Sequence, residues 1–260
     1  MSLSPDELER YARHIVLHEI GGAGQQRLRA ARVLVVGAGG LGSPALLYLA
    51  AAGIGTLGIV DDDAVSLSNL QRQVLHATDE IGAPKVASAA RALTRLNPHV
   101  AVEQHPHRLD ARNAAGLVAR YDLVLDGCDN FATRYLVNAA CVGAGRPLIS
   151  AAMSQWEAQI ALFHPAGGGP CYQCVFHEAP AADLVPSCAQ AGIIGALPGV
   201  AGSMMALETV KLIARAGEGL RGAMLIYDAL HAETRRIGLR PRPGCPVCGG
   251  AGVSADAKAV

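Results

Sequence analysis

The 260-residue sequence has few aromatic residues and few charged residues, and neither sign of charge predominates. Phe, Trp and Tyr make up 4% of the chain, so we expect a core built from Ala, Val, Leu and Ile. The 22 Lys and Arg residues balance the 22 Asp and Glu residues, which gives a net charge of zero. Proteins that bind nucleic acids non-specifically carry an excess of basic residues, so the composition argues against a nucleic-acid partner.

The chain also lacks a recognisable secretion signal and an uninterrupted membrane-spanning run. Its first residues mix Asp, Glu and Arg with no early apolar stretch. Residues 33–60 and 188–207 carry no charge, but glycine and proline interrupt both stretches. We therefore expect no membrane partner and a cytoplasmic location.

Strand and helix patterns alternate along most of the chain. A capping box at Ser4 predicts a first helix over residues 5–18, which Gly21 and Gly22 end, and a short helix follows at 25–30. A fully apolar strand at 33–36, a helix at 42–52 and a strand ending at Asp61 then form a β-α-β unit. Further helices are predicted at 85–96, 113–120, 132–144 and 197–214, and further strands at 100–105, 122–130, 147–153, 157–164, 223–228 and 234–239.

This pattern predicts an α/β fold with a Rossmann-like mixed sheet, in which antiparallel strands continue a parallel nucleotide-binding half and helices flank the sheet. We expect one domain over residues 1–250. It comprises an N-terminal helical arm at 1–30, a nucleotide-binding half at 31–165 and a second half at 166–250. Residues 251–260, AGVSADAKAV, end the sequence, and we expect them to form a disordered tail.

A glycine-rich loop follows the first strand and carries the pattern G-x-G-x-x-G. Gly37 permits the tight turn, Gly39 allows a phosphate to approach the backbone, and Gly42 packs helix against strand. The free N–H groups at the start of the next helix attract an anion. These properties suit NAD, FAD and ATP equally, so the loop alone leaves the nucleotide open.

Three aspartates end the second strand. Asp61 occupies the position from which an acidic residue binds ribose hydroxyls. Three adjacent carboxylates repel one another and the phosphates unless a cation or basic groups lie nearby. For Asp62 we favour a solvated turn.

The segment SLSNLQRQVLH, at residues 66–76, favours ATP over a dinucleotide. Arg72 can bind phosphate oxygens with two N–H groups, while Asn69 and Gln73 can donate neutral hydrogen bonds. Lys85 opens a later helix and supplies a mobile charge. Asp129 follows a central strand, where a carboxylate near a triphosphate can bind Mg²⁺.

Seven cysteines are present, and four of them form two C-x-x-C pairs. We predict that Cys171, Cys174, Cys245 and Cys248 bind a structural Zn²⁺ ion, because each pair supplies two thiolates from a tight turn. Two disulfides are the alternative, which a reducing cytosol disfavours. Cys128 and Cys141 lie in apolar stretches, and we expect both to be buried packing residues.

Several segments together resemble the HesA/MoeB/ThiF family of adenylyltransferases, which are related to the ubiquitin-activating enzymes. The resemblance extends from RYARHIVL at Arg10 to CPVCGG at Gly250. It rests on VVGAGGLGSPALLYLAAAGIGTL, VDDDAVSLSNLQRQVLH, GAPK, LNPH, LVLDGCDNFATR, CYQC, SCAQAGIIG and GCPVC. SNLQRQ and CDN-x-x-x-R are its most specific parts.

The resemblance implies that the protein activates the C-terminal glycine carboxylate of a ubiquitin-like sulfur carrier ending in Gly-Gly. The carboxylate attacks the α-phosphate of ATP and pyrophosphate leaves. A sulfur donor then converts the acyl-adenylate to a thiocarboxylate, in thiamine or molybdopterin biosynthesis. Residues 166–250 would bind the carrier. No rhodanese-like domain follows, so we expect a separate donor, either a cysteine desulfurase or a rhodanese.

The resemblance also implies roles for individual residues. Asp61 binds ribose, Asp129 places Mg²⁺, and Asn130 supports the metal or lines the pocket. Arg13 would act from the neighbouring subunit of a homodimer. The expected nucleotide contacts are Gly37, Gly39, Gly40, Gly42, Asp61, Asp63, Ser68, Asn69, Leu70, Gln71, Arg72, Lys85, Asp129 and Asn130.

Two further residues have alternative interpretations. Cys188 matches a cysteine that can form an acyl disulfide with the carrier in ThiF-like members, but it can equally be a loop thiol without a chemical role. Arg134 is either a ligand or a structural ion-pair partner of Asp129.

Three other functions remain as alternatives. An NAD(P)-dependent oxidoreductase explains the glycine loop but leaves SNLQR, Lys85 and the four cysteines unexplained. A non-catalytic adaptor, like the inactive half of a ubiquitin-activating heterodimer, does not need the complete set of ATP residues. A family member could also adenylate something other than a carrier, such as a tRNA base or a peptide.

Overall fold

The computed structural model of the protein describes residues 3–180 and 192–249, so Cys188 and the tail at 251–260 lie outside the described residues. Its strands are β1 Arg32–Val36, β2 Thr56–Val60, β3 Ala101–His105, β4 Leu123–Asp126, β5 Leu148–Ser154, β6 Glu157–Phe163, β7 Ala223–Asp228 and β8 Glu233–Gly238. Its helices are α1 Pro5–Arg10, α2 Ala12–Ile15, α3 Gly21–Ala30, α4 Gly42–Ala51, α5 Lys85–Leu96, α6 Ala114–Val118, α7 Phe131–Ala144, α8 Tyr172–Val175 and α9 Ala196–Ala214.

All eight strands form one mixed sheet in the order β3-β2-β1-β4-β5-β6-β7-β8. The first five strands are parallel, with β1 paired to both β2 and β4. Strands β6, β7 and β8 continue the sheet with antiparallel pairing. The predicted fold class is therefore confirmed, while the division into an arm and two functional halves stays a prediction.

The central strands are mostly apolar because helices cover both faces of the sheet. On β1, Val33 and Val35 belong to a core cluster that includes residues of α4, α5 and α9. Leu34 and Val36 belong to a second cluster, which includes residues of α6 and α7. Successive side chains of a strand point to opposite faces, so one short run of valine and leucine contributes to both cores.

Helix α9 is long and apolar enough to cross a membrane by length and composition. In the fold it packs against α4 and against strands β5 and β6. Gly202 permits this packing, because a Cβ atom there would lie 2.4 Å from the carbonyl oxygen of Leu41. The helix is therefore a core element of the structure.

The N-terminal arm differs from the prediction of one helix over residues 5–18. The capping box forms as expected, with Ser4 accepting from the N–H of Glu7, but the helix ends at Arg10. Tyr11 interrupts it because the ring is buried and its hydroxyl accepts a hydrogen bond from Nδ2 of Asn97 at 2.8 Å. Gly21, with φ of 57°, begins α3 instead of ending the preceding helix.

Candidate functional site

A cleft of about 370 Å³ lies where the parallel strands end. In open α/β sheets this edge is the usual place for a ligand, and the volume suits a small molecule. The lining residues predicted from the sequence are Gly37, Gly39, Gly40, Asp61, Asp63, Arg72, Lys85, Asp129 and Asn130. The structure therefore brings together residues from three connections that follow β1, β2 and β4 and lie far apart in the sequence.

The glycine loop connects β1 to α4 and forms the floor of the cleft. Gly37 has φ of 91°, a conformation that side-chain-bearing residues rarely adopt. Gly42 does not line the cleft. A Cβ atom there would lie 1.8 Å from the carbonyl oxygen of Gly37, so it allows α4 to pack against the loop.

Asp61 holds the glycine loop in place in addition to facing the cleft. Its Oδ2 atom accepts from the backbone N–H of Ala38 at 2.8 Å, and Oδ1 accepts from that of Asp63 at 2.9 Å. Burial raises the pKa of Asp61, against the opposing effects of Lys85 and the two backbone N–H groups. A carboxylate has about four lone-pair sites, so acceptor positions remain for ligand hydroxyls.

Lys85 and Asp63 form an ion pair at the cleft, with 2.8 Å between Nζ and Oδ2. The lysine side chain is 6% exposed and that of the aspartate is 68% exposed. The backbone N–H of Lys85 also donates to the carbonyl oxygen of Asp63 at 2.9 Å. A buried cation is thus held at the cleft, and Asp62, which also lines the cleft, is exposed as expected.

Only part of the segment after the three aspartates faces the cleft. Arg72 and Gln73 line it, whereas Ser68, Asn69, Leu70 and Gln71 are not among its lining residues, and contact of this whole run with the nucleotide stays a prediction. The reason for the difference is local geometry. A 3₁₀ turn at Leu67–Asn69 directs successive side chains to different sides.

Gln71 and Gln73 point to different surroundings. Nε2 of Gln71 donates to the carbonyl oxygen of Ile193 at 3.4 Å, on the segment that leads into α9. Gln73 is buried, and its Oε1 atom has no hydrogen-bond partner among the described residues. A buried amide oxygen at a cleft is a position that a ligand donor can satisfy.

The end of β4 carries a buried polar network behind the cleft. Asp126 is 0% exposed, and its carboxylate accepts from the hydroxyl of Ser150 at 2.8 Å and from the N–H of Cys128 at 3.1 Å. Nη2 of Arg134 donates to the carbonyl oxygen of Cys128 at 2.8 Å. Although burial lowers the pKa of Arg134, the nearby carboxylate of Asp126 raises it above its usual value.

Asp129 and Asn130 follow this network directly. Asp129 is exposed at the cleft, and among the described residues no side chain donates a hydrogen bond to it. Asn130 caps α7, with its Oδ1 atom accepting from the N–H of Thr133 at 2.9 Å. The cap places the positive end of a 14-residue helix dipole at the cleft.

Further cleft residues were not among the predicted site residues. His107, Arg108 and Leu109 follow β3, and Met153 lies on β5. Thr133 and Arg134 belong to the first turns of α7. Cys128 is half-buried, packs against the second core cluster as expected, and also lines the cleft. Their positions after parallel strands could have identified these residues from the sequence, because the carboxyl ends of all these strands meet at the edge of the sheet that forms the cleft.

The four cysteines of the C-x-x-C pairs form one buried cluster. The Sγ atoms of Cys171 and Cys174 lie 3.7 Å apart, those of Cys171 and Cys245 3.6 Å, and those of Cys174 and Cys248 3.4 Å. A disulfide needs about 2.05 Å between sulfur atoms. Thiolates bound to tetrahedral zinc at about 2.3 Å lie roughly 3.8 Å apart, so these separations fit the metal and not two disulfides.

The surroundings of the cluster shift the pKa values of two of its thiols in opposite directions. Burial raises the pKa of Cys171, and burial has the same effect at Cys245. At Cys245, however, backbone N–H groups of Cys248 and Val247 outweigh burial and lower its pKa to about 6. The remaining described cysteine away from the cleft, Cys141, is buried in the second core cluster, as expected.

Arg13 lies on α2, is exposed, and does not line the cleft of its own chain. Its predicted action from a neighbouring subunit stays a prediction. Arg134 donates a hydrogen bond to the backbone carbonyl of Cys128 and interacts electrostatically with Asp126. It does not form the ion pair with Asp129 that was one of the two predictions.

A comparison with protein families identifies this architecture. The sequence profile of the ThiF family matches residues 11–247. The chain belongs to the ThiF family. This membership agrees with the glycine loop, the cleft and the cysteine cluster described above.

Several proteins have sequences similar to this one over nearly the whole chain. The sulfur carrier protein adenylyltransferase of Thermus thermophilus is 49% identical over 96% of this chain and 93% of its own length. The adenylyltransferase and sulfurtransferase MOCS3 of Mus musculus is 52% identical over 95% of this chain. That match covers 54% of the mouse protein, so this ThiF chain corresponds to about half of it.

A solved structure has the same fold. The crystal structure of Escherichia coli MccB with ATP aligns with this ThiF-family chain at a TM-score of 0.82 and 26% identity. The alignment covers 92% of this chain and 74% of MccB.

Proposed function

We propose that the protein uses ATP to adenylate the C-terminal glycine carboxylate of a ubiquitin-like sulfur carrier, for thiamine or molybdopterin biosynthesis. One observation carries the proposal. A single cleft combines a glycine loop, a ribose-type acid, an arginine and a buried lysine with an exposed aspartate after β4. Two relatives that are about half identical to this chain support the same reaction. One is named sulfur carrier protein adenylyltransferase, and the other adenylyltransferase and sulfurtransferase MOCS3.

The cleft offers an acidic side chain for the ribose of ATP and basic side chains for its phosphates. Asp61 offers acceptors to ribose hydroxyls beside the glycine loop. Arg72 and Lys85 offer cationic donors to the phosphates, and Gly39 and Gly40 let the backbone approach them. A nicotinamide dinucleotide has only a diphosphate bridge between its two riboses, whereas ATP has a triphosphate with a free terminal phosphate, so two cationic side chains at the cleft favour ATP.

The reaction needs alignment more than acid or base chemistry. A carboxylate is already a nucleophile at neutral pH, and one of its oxygens attacks the α-phosphorus of ATP. The bond from that phosphorus to the bridging oxygen breaks, and pyrophosphate leaves with the electron pair. The acyl-adenylate remains in the cleft. Lys85 and Arg72 would lower the barrier by neutralising charge on the departing phosphates.

We also propose that Asp129 helps to bind Mg²⁺ with the nucleotide. Its exposed carboxylate, free of side-chain donors among the described residues, is the oxygen ligand that this cation prefers. When bound, the cation would neutralise phosphate charge. The chain's own contribution is to hold Asp129 at the cleft through the adjoining Asn130 cap and the Cys128 backbone contacts.

The cysteine cluster is proposed as a structural Zn²⁺ site. Its four sulfur atoms are buried and lie within 4.8 Å of one another, which supports tetrahedral coordination by Cys171, Cys174, Cys245 and Cys248. In the first pair, Cys171 caps the N-terminus of α8 and Cys174 lies within that helix, while the second pair lies after β8. The ion would therefore fix the end of the described chain to the body of the fold.

We propose a homodimer in which Arg13 reaches the partner's cleft. Arg13 is exposed, and the neighbouring Val16 and Leu17 are 79% and 48% exposed. On the other side, Leu67 and Val74 flank Arg72 and are also exposed. Apolar side chains beside both arginines support burial in a subunit interface.

Sulfur transfer would follow adenylation. We propose a separate sulfur donor, either a cysteine desulfurase or a rhodanese. The Thermus thermophilus relative, which aligns over 93% of its own length, is named as an adenylyltransferase and not as a sulfurtransferase. A covalent role for Cys188 remains a proposal for a residue outside the described part of the chain. We place the enzyme in the cytoplasm, where reducing conditions keep the four clustered thiols available for a metal.

Adenylation of a different substrate is the second candidate. MccB shares the fold, and one of its crystal structures is a complex with MccA. MccB is 24% to 26% identical to this chain, against 46% to 52% for the carrier-activating relatives and their sulfurtransferase homologues, which favours the carrier.

Intact-mass analysis tests the proposal directly. The enzyme is incubated with Mg²⁺, ATP and a carrier ending in Gly-Gly, and we expect a carrier with one added AMP. A carrier lacking the last glycine is the matched control and should stay unmodified. Equal modification of both carriers, or of neither while a tRNA or peptide is adenylated, would overturn the proposal.

A further inference from the structure

The backbone of Ala38, in the middle of the glycine loop, is hydrogen-bonded on both sides. Its N–H donates to Oδ2 of Asp61 at 2.8 Å. Its carbonyl oxygen accepts from Nε2 of His76 at 2.9 Å. His76 is 8% exposed and does not line the cleft, so it contacts the loop from the protein side.

The contact with His76 fixes the direction of the next N–H group. In a trans peptide the C=O and N–H groups point in opposite directions, and the structure has no cis peptide among its described residues. Holding the carbonyl of Ala38 toward His76 therefore turns the N–H of Gly39 away from His76. Gly39 lines the cleft, and no described residue accepts a hydrogen bond from its N–H.

His76 is itself held by a chain of contacts that leads to the surface. Nδ1 of His76 lies 2.7 Å from Oγ of Ser88, and the Ser88 hydroxyl also contacts the carboxylate of Glu80. Oε1 of Glu80 pairs with Nε of Arg91 at 2.8 Å. His76 thus has little freedom to rotate away from the glycine loop.

The hydrogen-bond partners also determine where the imidazole carries its proton. A carbonyl oxygen can only accept, so Nε2 must be protonated for the contact with Ala38. Burial lowers the pKa of His76, which favours the neutral ring. Nε2 therefore carries a proton, while Nδ1 faces the oxygen of Ser88, whose own hydroxyl proton is donated to the carboxylate of Glu80.

We infer that His76 is a positioning residue for nucleotide binding. It orients the peptide between Ala38 and Gly39 so that the Gly39 N–H is presented to a phosphate oxygen of ATP. Ser88 acts indirectly, because its hydroxyl group contacts Nδ1 and orients the imidazole ring of His76. The inference rests on the proposed use of ATP, because it assigns the residue to the same cleft.

The test is the affinity for Mg²⁺ with a non-hydrolysable ATP analogue, measured by titration calorimetry without a carrier. His76→Ala should weaken binding about five- to tenfold, the value of roughly one hydrogen bond. Ser88→Ala should weaken it by a smaller factor. His76→Gln can direct an amide N–H to the Ala38 carbonyl and should recover most of the affinity.

His164→Ala is the matched control. His164 is half-buried, lies after β6 and does not line the cleft, so its removal should leave nucleotide affinity unchanged. An unchanged affinity in His76→Ala, or equal weakening in the control, would overturn the inference while leaving adenylation intact. Wild-type protein that fails to bind the analogue would overturn the proposed function as well.

Nitrogen NMR provides a second readout, independent of the affinity measurement. With ¹⁵N-labelled histidine, His76 should show a proton on Nε2, and its signals are identified by their loss in His76→Gln. The Gly39 amide signal should move when the analogue binds and should move less in His76→Ala. A neutral ring protonated on Nδ1 alone would contradict the contact with Ala38.

Discussion

Nη2 of Arg134 lies 2.8 Å from the carbonyl oxygen of Cys128, while the N–H of the same cysteine donates to Asp126. The backbone just before Asp129 is therefore held from both sides by buried groups of opposite charge. Arg134 is 7% exposed and Asp126 is 0% exposed. Each charge compensates the other and together they fix the strand end from which the proposed magnesium ligand projects.

Arg134→Gln should destabilise the fold by about 2–4 kcal/mol, because it leaves the buried Asp126 carboxylate without a compensating charge. Asp126→Asn should cost a similar amount. The double variant should lose less stability than the sum of the two single losses, and the difference, the coupling free energy, should be about 1–3 kcal/mol. Urea unfolding measures all three, and strictly additive losses would show that the two charges do not interact.

Lys85→Met should lower the rate of adenylation about 100- to 1,000-fold, because the cleft loses the cation that opposes the phosphates. It should also leave Asp63 without its partner. Initial rates of AMP–carrier formation measure the effect. Lys211→Met is the control, since Lys211 pairs with Glu208 in α9 and does not line the cleft. Comparable losses in both variants would point to a general effect of removing a lysine.

Arg13→Ala should produce an inactive dimer if the arginine acts on the partner's cleft. Mixing it with an inactive Asp129→Asn protein should restore activity, since one site in each mixed dimer receives both intact residues. Random exchange between equal amounts should recover roughly a quarter of the wild-type rate. No recovery, in a mixture shown by native mass spectrometry to contain mixed dimers, would place Arg13 outside the partner's site.

Freshly purified, reduced protein should contain about one zinc ion per chain. Removing the ion with a chelator should lower the thermal midpoint, because the cluster connects the segment after β8 to α8. Cys245→Ser should lower the zinc content in the same way, while Cys141→Ser, which changes a cysteine outside the cluster, should retain the ion. Zinc-free protein of unchanged stability would contradict a structural metal.

Much of the fold could be predicted from local sequence. Helix Lys85–Leu96 begins and ends where predicted, because Pro84 and Asn97 mark both ends. The break at Tyr11 could not be predicted in the same way. It depends on a buried contact with Asn97, 86 residues away, and on the space beside Gly53, where a Cβ atom would lie 2.5 Å from the tyrosine ring.

The candidate site likewise contains residues that could be predicted from local sequence and residues that could not. Gly37, Asp61 and Lys85 could be placed at the cleft because strand ends and helix starts determine their positions. The separation of Arg72 from Gln71 depends on how a 3₁₀ turn packs against the segment entering α9, which sequence spacing does not reveal. His76 closes a motif recognised in the sequence, yet its role depends on a contact with a backbone carbonyl.

The most direct test of the central claim is ATP–pyrophosphate exchange with Mg²⁺, in the presence and absence of carriers ending in Gly-Gly. Adenylation is reversible, so an enzyme that activates a carrier should incorporate labelled pyrophosphate into ATP only when that carrier is present. We predict exchange that requires the terminal glycine and is lost in Asp129→Asn. Exchange without any carrier, or none with any Gly-Gly carrier from protein that binds ATP, would contradict the account.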